Sequence, residues 1–179
     1  MAGQISSIEL QVQKVGQLFD TLDPLPFRER DLDREAEEFI VSWARELPRK
    51  TPLRIVVHMP AEESKSEQAQ ILGQAMRRYF HYRAEFTGGE LKELFRTGRF
   101  SLIIGLVVLA LCLAAGRFLR TSLPPGQLGS FLDEGLVILG WVANWRPIEI
   151  FLYDWWPLFR RRALFERLAS ADVLVLPRQ

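Results

Sequence analysis

The chain has 179 residues, of which 48% are hydrophobic and 25% are charged, and its formal net charge is +1 at pH 7. Such balanced charge gives no reason to expect a nucleic-acid partner, and a single cysteine excludes an internal disulfide framework and a cysteine-rich metal site. The averages conceal two contrasting parts, because residues 1–98 carry dense mixed charge whereas residues 100–159 hold most of the tryptophans and the long apolar runs.

The start of the chain predicts a small α/β unit. Apolar and polar residues alternate from Ile8 to Gln13, which is typical of a strand with one buried face. A helical repeat follows from Asp31 to Pro48, and a second strand is predicted over Leu53–Met59. This order forms a βαβ unit, whose strands are parallel when they share one sheet. The residues expected on the buried stripe of the helix are Leu32, Ala36, Phe39, Ile40, Trp43 and Leu47.

A second helix is predicted after the second strand. Ser64 and Glu67 resemble a capping box, and apolar residues continue at helical spacing beyond them. Gly88 and Gly89 are expected to interrupt this helix, leaving residues 90–97 as a short amphipathic piece. The sequence therefore predicts a cytoplasmic α/β domain over residues 1–98.

Two membrane-spanning helices are predicted next. The first is expected over 99–120, because from Phe100 to Gly116 the only ionisable group is the thiol of Cys112 and the apolar run reaches Leu119 with only Arg117 interrupting it. At about 1.5 Å per residue such a helix crosses a hydrocarbon core of roughly 30 Å. A turn outside the cytoplasm is expected over 121–130. The second span is expected over 131–156, between a helix start marked by Ser130 and Asp133 and an aromatic pair at its end. The alternative is a shorter span followed by a helix lying in the membrane plane from Pro147 onward.

The distribution of basic residues predicts the orientation of this hairpin. Lysine and arginine are more frequent in the flanks, at 92–99 and 160–167, than in the connection, so both termini are expected in the cytoplasm. The residues expected to anchor the hairpin at the membrane interfaces are Trp141, Trp145, Trp155, Trp156, Arg160, Arg161 and Arg162.

Small residues and a polar stripe mark the faces of the two spans. Small residues four positions apart allow helices to approach closely, either within the hairpin or between copies of the chain. Those expected to pack in this way are Ser101, Gly105, Ala110, Ala114 and Gly116. The intramembrane polar stripe of the second span is expected to consist of Asn144, Arg146, Glu149 and Tyr153. The last three share one side of the helix. Such a stripe either pairs locally, or it lines a pathway or locks subunits together.

Residues 157–179 predict a basic helix from Leu158 to Ala169 and a short strand from Asp172 to Pro177. The strand has two possible partners. It could return to the N-terminal sheet, which would make the hairpin an insertion in one α/β domain, or it could add to the sheet of a neighbouring subunit. The predicted fold class is thus an α/β membrane protein, with a βαβα domain, a two-helix hairpin and a C-terminal helix and strand.

Catalytic chemistry finds little support in the sequence. His58 lies at the carboxyl end of the second strand, where open parallel sheets place their ligands, but the other histidine, His81, lies one helix away. No HExxH, CxxC, nucleophile elbow, Walker loop or GxGxxG motif is present. The sequence therefore predicts no catalytic, cofactor-binding or metal-binding residues.

The segment Gly140-Trp-Val-Ala-Asn-Trp-Arg-Pro-Ile-Glu-Ile-Phe-Leu-Tyr-Asp-Trp-Trp-Pro157 resembles a signature of small bacterial membrane proteins without an assigned activity. Residues 26–33 and 38–44 are similar to the cytoplasmic start of the same proteins. The resemblance implies residence in a bacterial inner membrane, and it transfers no catalytic residue.

Three functions are compatible with these features. The favoured hypothesis is a non-enzymatic inner-membrane scaffold or adaptor that self-associates through its membrane helices and cytoplasmic domain, with the lipid bilayer, further copies of itself and another protein as partners. The alternative is a homo-oligomeric channel or pore lined by Asn144, Arg146 and Glu149. The third is a membrane-bound enzyme acting through His58.

Overall fold

The computed structural model describes residues 6–20, 26–27, 30–48, 51–122 and 127–178. Its strands are β1 (Ser6–Gln11), β2 (Leu53–Pro60) and β3 (Asp172–Arg178). Its helices are α1 (Arg34–Glu46), α2 (Glu67–Ser122), α3 (Gln127–Ala143), α4 (Trp145–Glu149) and α5 (Trp155–Ala169), with a π-helical turn at Ile150–Asp154 and 3-10 turns at Val15–Leu18 and Glu63–Lys65. The chain forms two compact units, Met1–Thr87 with Arg160–Gln179, and Gly88–Phe159.

The first unit contains a three-stranded sheet in the order β1-β2-β3, with both pairs parallel. Ile55 of β2 lies beside Ile8 of β1 on one side and Val173 of β3 on the other. The predicted mixed α/β architecture with parallel strands is confirmed. The structure also decides between the two partners for the last strand, because β3 pairs with β2 in the N-terminal sheet. The second unit, Gly88–Phe159, is therefore an insertion in the chain of the first unit, which we call the α/β module.

All the helices of this module cover the same face of the sheet. Side chains on that face, including Ile8, Ile55, Val57 and Met59, are fully buried. They pack with apolar residues of α1, the first part of α2 and α5. The helix residues in this core include Ile40, Val41, Ala44, Leu72, Met76, Phe80, Phe165 and Leu168. The module is therefore a two-layer structure, helices on one side and sheet on the other.

Asp33 caps the start of α1. Its carboxylate accepts hydrogen bonds from the backbone N–H groups of Glu35 (2.9 Å) and Ala36 (3.3 Å), which satisfies amides that lack a partner within the helix. The prediction that Phe39 and Trp43 lie on the buried stripe of this helix is wrong, because they are 42% and 47% exposed.

The reason is a rotation of α1 that its own periodicity did not reveal. The Glu37 side chain is only 16% exposed, and it is engaged by Arg83 and Tyr79 of α2. These partners allow an acidic residue to face inward, so Val41 and Ala44 lie beside Ile40 in the core and the aromatic side turns outward.

An arginine of α5 ties down the end of α1. Arg167 donates hydrogen bonds to the backbone carbonyls of Ala44 (3.4 Å), Pro48 (2.6 Å) and Thr51 (2.9 Å). The last carbonyls of a helix have no partner within it, and the guanidinium supplies one. Partial burial lowers the pKa of Arg167.

The expected interruption at Gly88 and Gly89 is wrong, since α2 runs without a break from Glu67 to Ser122. None of the described glycines has a positive φ angle, so neither residue ends the helix as a C-cap. Glycine costs about 1 kcal/mol in a helix interior, which a long helix tolerates. Of the turn expected over 121–130, residues 123–126 lie outside the described residues, and residues 127–130 belong to α3.

The second unit contains the apolar parts of the two long helical segments. Both Glu67–Ser122 and the run Gly129–Ala169 are long and apolar enough to cross a membrane. The second run is not one regular α-helix, because it is interrupted at Asn144, between α3 and α4, and contains the π-helical turn.

Candidate functional site

Glycines line the contact between the two helical segments of the hairpin. A Cβ atom at Gly98 would lie 2.8 Å from Ile150 Cγ2, and one at Gly140 would lie 2.6 Å from Leu109 Cδ1. A Cβ at Gly105 would lie 2.6 Å from Asn144 Oδ1 and 3.0 Å from the carbonyl oxygen of Ala143. Gly116 accommodates Asp133 in the same way. An added Cβ would therefore force the opposite segment to shift at each of these positions, and at Gly105 the group it meets includes backbone. These glycines allow the two segments to approach closely.

The small residues predicted to pack do not all lie at this contact. Gly105 and Gly116 are buried there, and Ser101 is half-buried. Ala110 and Ala114 are exposed on the outer surface of the hairpin. A spacing of seven residues, Gly98, Gly105 and Cys112, marks the buried side of α2, and this repeat is the signal that could have identified it.

Asn144 joins the two helical segments of the hairpin. It is 7% exposed, and its amide nitrogen donates to the carbonyl oxygens of Gly105 (3.0 Å) and Gly140 (2.9 Å). Pro147 lies in the first turn of α4, where the loss of its N–H costs little because the first N–H groups of a helix have no partner within it. Asn144 therefore points toward α2, away from the polar stripe in which it was expected.

The charged stripe of the second segment is an internally paired cluster. Arg146 contacts the carboxylates of Glu149 (3.2 Å) and Asp154 (3.0 Å), and the indole N–H of Trp145 donates to Glu149 (2.9 Å). The side chains of Arg146, Glu149 and Asp154 remain 61%, 41% and 32% exposed. Local pairing, one of the two readings of this stripe, is what the structure contains.

Asp154 takes the place in this stripe that regular helical spacing predicts for Tyr153. A regular α-helix would place residues 146, 149 and 153 on one line. The π-helical turn holds about one extra residue per turn, so the line passes through Asp154 instead. Tyr153 is rotated away and is 69% exposed. Asp154 was missed because no local sequence pattern signals a π-helical turn.

A second ion pair joins the far ends of the hairpin. Arg120, near the end of α2, pairs with Asp133 of α3, whose side chain is 13% exposed. The expectation that Ser130 and Asp133 mark the start of the second helix is wrong, since α3 begins at Gln127. Asp133 instead lies inside that helix, against Gly116.

The predicted interfacial anchors occupy two regions. Trp141 and Trp145 lie on the outer surface of the hairpin, 63% and 66% exposed. Trp155 and Trp156 pack edge to face at 5.3 Å, and the Trp155 indole donates to the carbonyl of Phe151 (3.0 Å). In the α/β module, Arg162 pairs with Glu166 (2.9 Å), Arg161 lies over the Phe165 ring at 5.5 Å, and Arg160 lies in the same run.

A half-buried polar cluster lies between α1 and α2 in the module. Glu37 accepts hydrogen bonds from the Tyr79 hydroxyl (2.6 Å) and from the Arg83 guanidinium (3.2 and 2.9 Å). Burial raises the pKa of Tyr79, and the hydrogen bond to Glu37 raises it further. Burial lowers the pKa of Arg83, but Glu37 outweighs this effect and the net shift is upward. All three groups are satisfied, so the cluster joins α1 to α2.

His58 lies with its imidazole 3.7 Å from the Glu9 carboxylate across the β1–β2 pair. Across the described part of the chain, no group of three or more histidine, cysteine, aspartate or glutamate side chains is placed to hold a metal ion. Comparisons with protein-family models, with curated proteins and with solved structures return no match. The resemblance to bacterial membrane proteins therefore stays a prediction.

Proposed function

We propose that this chain is a membrane-anchored scaffold or adaptor. Its α/β module is held at a bacterial inner membrane, with both termini in the cytoplasm, by the hairpin of residues 88–159. The module and the hairpin both associate with further copies. The insertion topology supports this proposal, because both ends of the hairpin lead back to one sheet and anchor the module through two connections.

One observation carries the self-association. The cluster of Arg146, Glu149 and Asp154 is paired, yet its side chains remain exposed on the outside of the hairpin. Within a bilayer an ionisable group faces protein or water, since exposure to hydrocarbon costs about 2.5–3.5 kcal/mol even on insertion scales. A neighbouring copy covers the cluster. The outward small residues Ala110 and Ala114 offer a second surface for close helix approach.

Stoichiometry in a bilayer tests the proposal. The full chain is labelled with one fluorophore per copy and reconstituted at low density in liposomes. Each particle should then lose its fluorescence in several bleaching steps, one for each copy. Native mass spectrometry in mild detergent should give the same number of copies. Replacing Arg146 by Met removes the positive charge of the cluster and should increase the fraction of monomeric particles. The matched control, Arg117→Met, alters an exposed arginine in the other segment and should leave the number unchanged. A monomer under all conditions would overturn the proposal.

The exposed charges of the same cluster also favour a second candidate, a homo-oligomeric pore. In that case Glu149→Gln changes the ratio of cation to anion flux in reconstituted bilayers, because a charged ring sets selectivity. A multimeric chain without conductance supports the scaffold and excludes the pore.

A further inference from the structure

The outer edge of β3 is open. In the sheet order β1-β2-β3, no strand of the described chain pairs with the far side of β3. Open edges invite another strand, and all-parallel sheets usually have both faces covered. Here the second face carries exposed side chains, with Leu174 and Leu176 of β3 at 38% and 43% exposure. The proposed scaffold function does not say which surface of the module binds a further copy, and this edge is a candidate.

The register shows which backbone groups point outward. The N–H groups of Ser6 and Val12 donate to the carbonyls of Pro52 and His58, which fixes the residues of β2 that bond to β1. Because backbone groups alternate along a strand, the intervening residues of β2 bond to β3. On β3 the residues at 173, 175 and 177 then direct their N–H and C=O groups to the open side. Pro177 has no N–H to direct there, which is where a strand tolerates proline.

The side chains of β3 are complementary to those of a second β3 that runs in the opposite direction. In Asp-Val-Leu-Val-Leu-Pro-Arg, a two-fold axis at Val175 places Leu174 opposite Leu176 of a second copy, and Asp172 opposite Arg178. These side chains lie on the uncovered face, where Asp172 and Arg178 are both exposed. Cross-strand apolar pairs and opposite charges each contribute about 0.2–1 kcal/mol.

We infer that β3 pairs in antiparallel orientation with β3 of a second copy, joining two three-stranded sheets into one. The two Val175 residues exchange a pair of backbone hydrogen bonds, and each Val173 N–H donates to the Pro177 carbonyl across the axis. Such an isologous contact pairs the β3 edges of both copies at once and leaves neither β3 edge open.

The edge at β1 does not offer the same complement. The side chains of β1 on the uncovered face are Ser7, Glu9 and Gln11, all polar and exposed. A two-fold axis at Glu9 would set two carboxylates directly opposite each other, which is destabilising. The second copy is therefore assigned to β3.

The contact is small, since it consists of one strand pair and one row of side chains. An isolated module would pair weakly, but a shared membrane raises the effective concentration of the two strands. The inference thus rests on the proposed membrane anchoring and self-association, and it names the part of the module that carries them.

Disulfide trapping in membranes tests the register. In a Cys112→Ala background, one full-length chain carries Leu174→Cys and a differently tagged chain carries Leu176→Cys. Directly opposite residues have Cα atoms roughly 4.5–5.5 Å apart, within disulfide range. The mixed pair should therefore cross-link several-fold faster than either variant with itself, because identical positions are offset along the strands. Arg178→Asp should slow the mixed reaction, and Arg178→Lys should preserve it.

The outcomes separate this inference from the proposed function. Equal rates for mixed and identical pairs, or no cross-link in a chain that is multimeric by photobleaching, overturn the β3 contact and leave the scaffold proposal standing. A monomeric chain overturns both. Register-specific cross-linking supports both.

Discussion

Replacing Gly105 by alanine should destabilise the hairpin, although alanine is the better helix former. A Cβ at this position would meet Asn144 Oδ1 at 2.6 Å and the Ala143 carbonyl oxygen at 3.0 Å. The Ala143 oxygen belongs to the backbone, so it cannot move away from the added Cβ unless the second segment moves with it. Asn144 can turn, but it then loses its hydrogen bond to the Gly105 carbonyl, which is 3.0 Å long.

The expected change is a sum of opposing effects. Alanine gains about 1 kcal/mol over glycine in a helix interior. Overpacking costs about 1–3 kcal/mol, and the lost interhelical hydrogen bond costs about 0.6–1.7 kcal/mol. We expect Gly105→Ala to lower the free energy of unfolding of the hairpin by about 1–3 kcal/mol. The matched control is Gly89→Ala in the same helix, where nothing lies within 4 Å of the added Cβ. That change should stabilise by about 0.5–1 kcal/mol.

The measurement is reversible unfolding of the full chain in mixed micelles by titration with dodecyl sulfate. Tryptophan fluorescence reports the transition, because four of the five tryptophans lie in the hairpin, namely Trp141, Trp145, Trp155 and Trp156. From most to least stable, the predicted order is Gly89→Ala, the unaltered chain and Gly105→Ala. If the two variants unfold at the same midpoint, the close approach of the two segments at Gly105 is refuted.

Three further predictions concern the α/β module and use thermal unfolding followed by circular dichroism. Glu37→Gln should cost about 1–3 kcal/mol, because it weakens the bonds to Arg83, whereas Glu38→Gln breaks only an exposed pair and should change stability by less than about 0.5 kcal/mol; equal effects would contradict the buried role of Glu37. Since burial raises the pKa of Tyr79, folding favours its neutral phenol, so this contribution is complete below about pH 10 and is lost as the pH rises further. Tyr79→Phe should therefore flatten the alkaline fall in the melting temperature, and an unchanged fall would count against it. Arg167→Met should cost about 1.5–3 kcal/mol through lost bonds to carbonyls, and an unaltered melting temperature would show that water replaces them.

Much of the secondary structure follows from local patterns. The period of two in Ile8–Gln13 and the apolar run at Leu53–Met59 predict strands that are present as β1 and β2. The long apolar runs predict two helices able to cross a membrane, and both are present. These signals are readable because they depend on neighbours two to four residues away.

The candidate site was less predictable. Arg146 and Glu149 were identified from their spacing, but Asp154 was not, because the π-helical turn changes which residues share a face. The rotation of α1 was hidden for a related reason. An acidic residue at position 37 is expected to face solvent. Its buried position follows from its partners Tyr79 and Arg83, which lie far along the chain.

Hydrophobic content and periodicity are properties of short segments, so they suffice to predict an α/β module followed by a pair of apolar helices. The place of β3 in the N-terminal sheet, with one of its edges open, is visible only in the folded chain. Asp172 and its partner Arg54 are 118 positions apart, and the apolar run of β3 does not indicate which strand it pairs with. That choice depends on the packing of α2 and α5 over one face of the sheet, which brings the chain back beside β2.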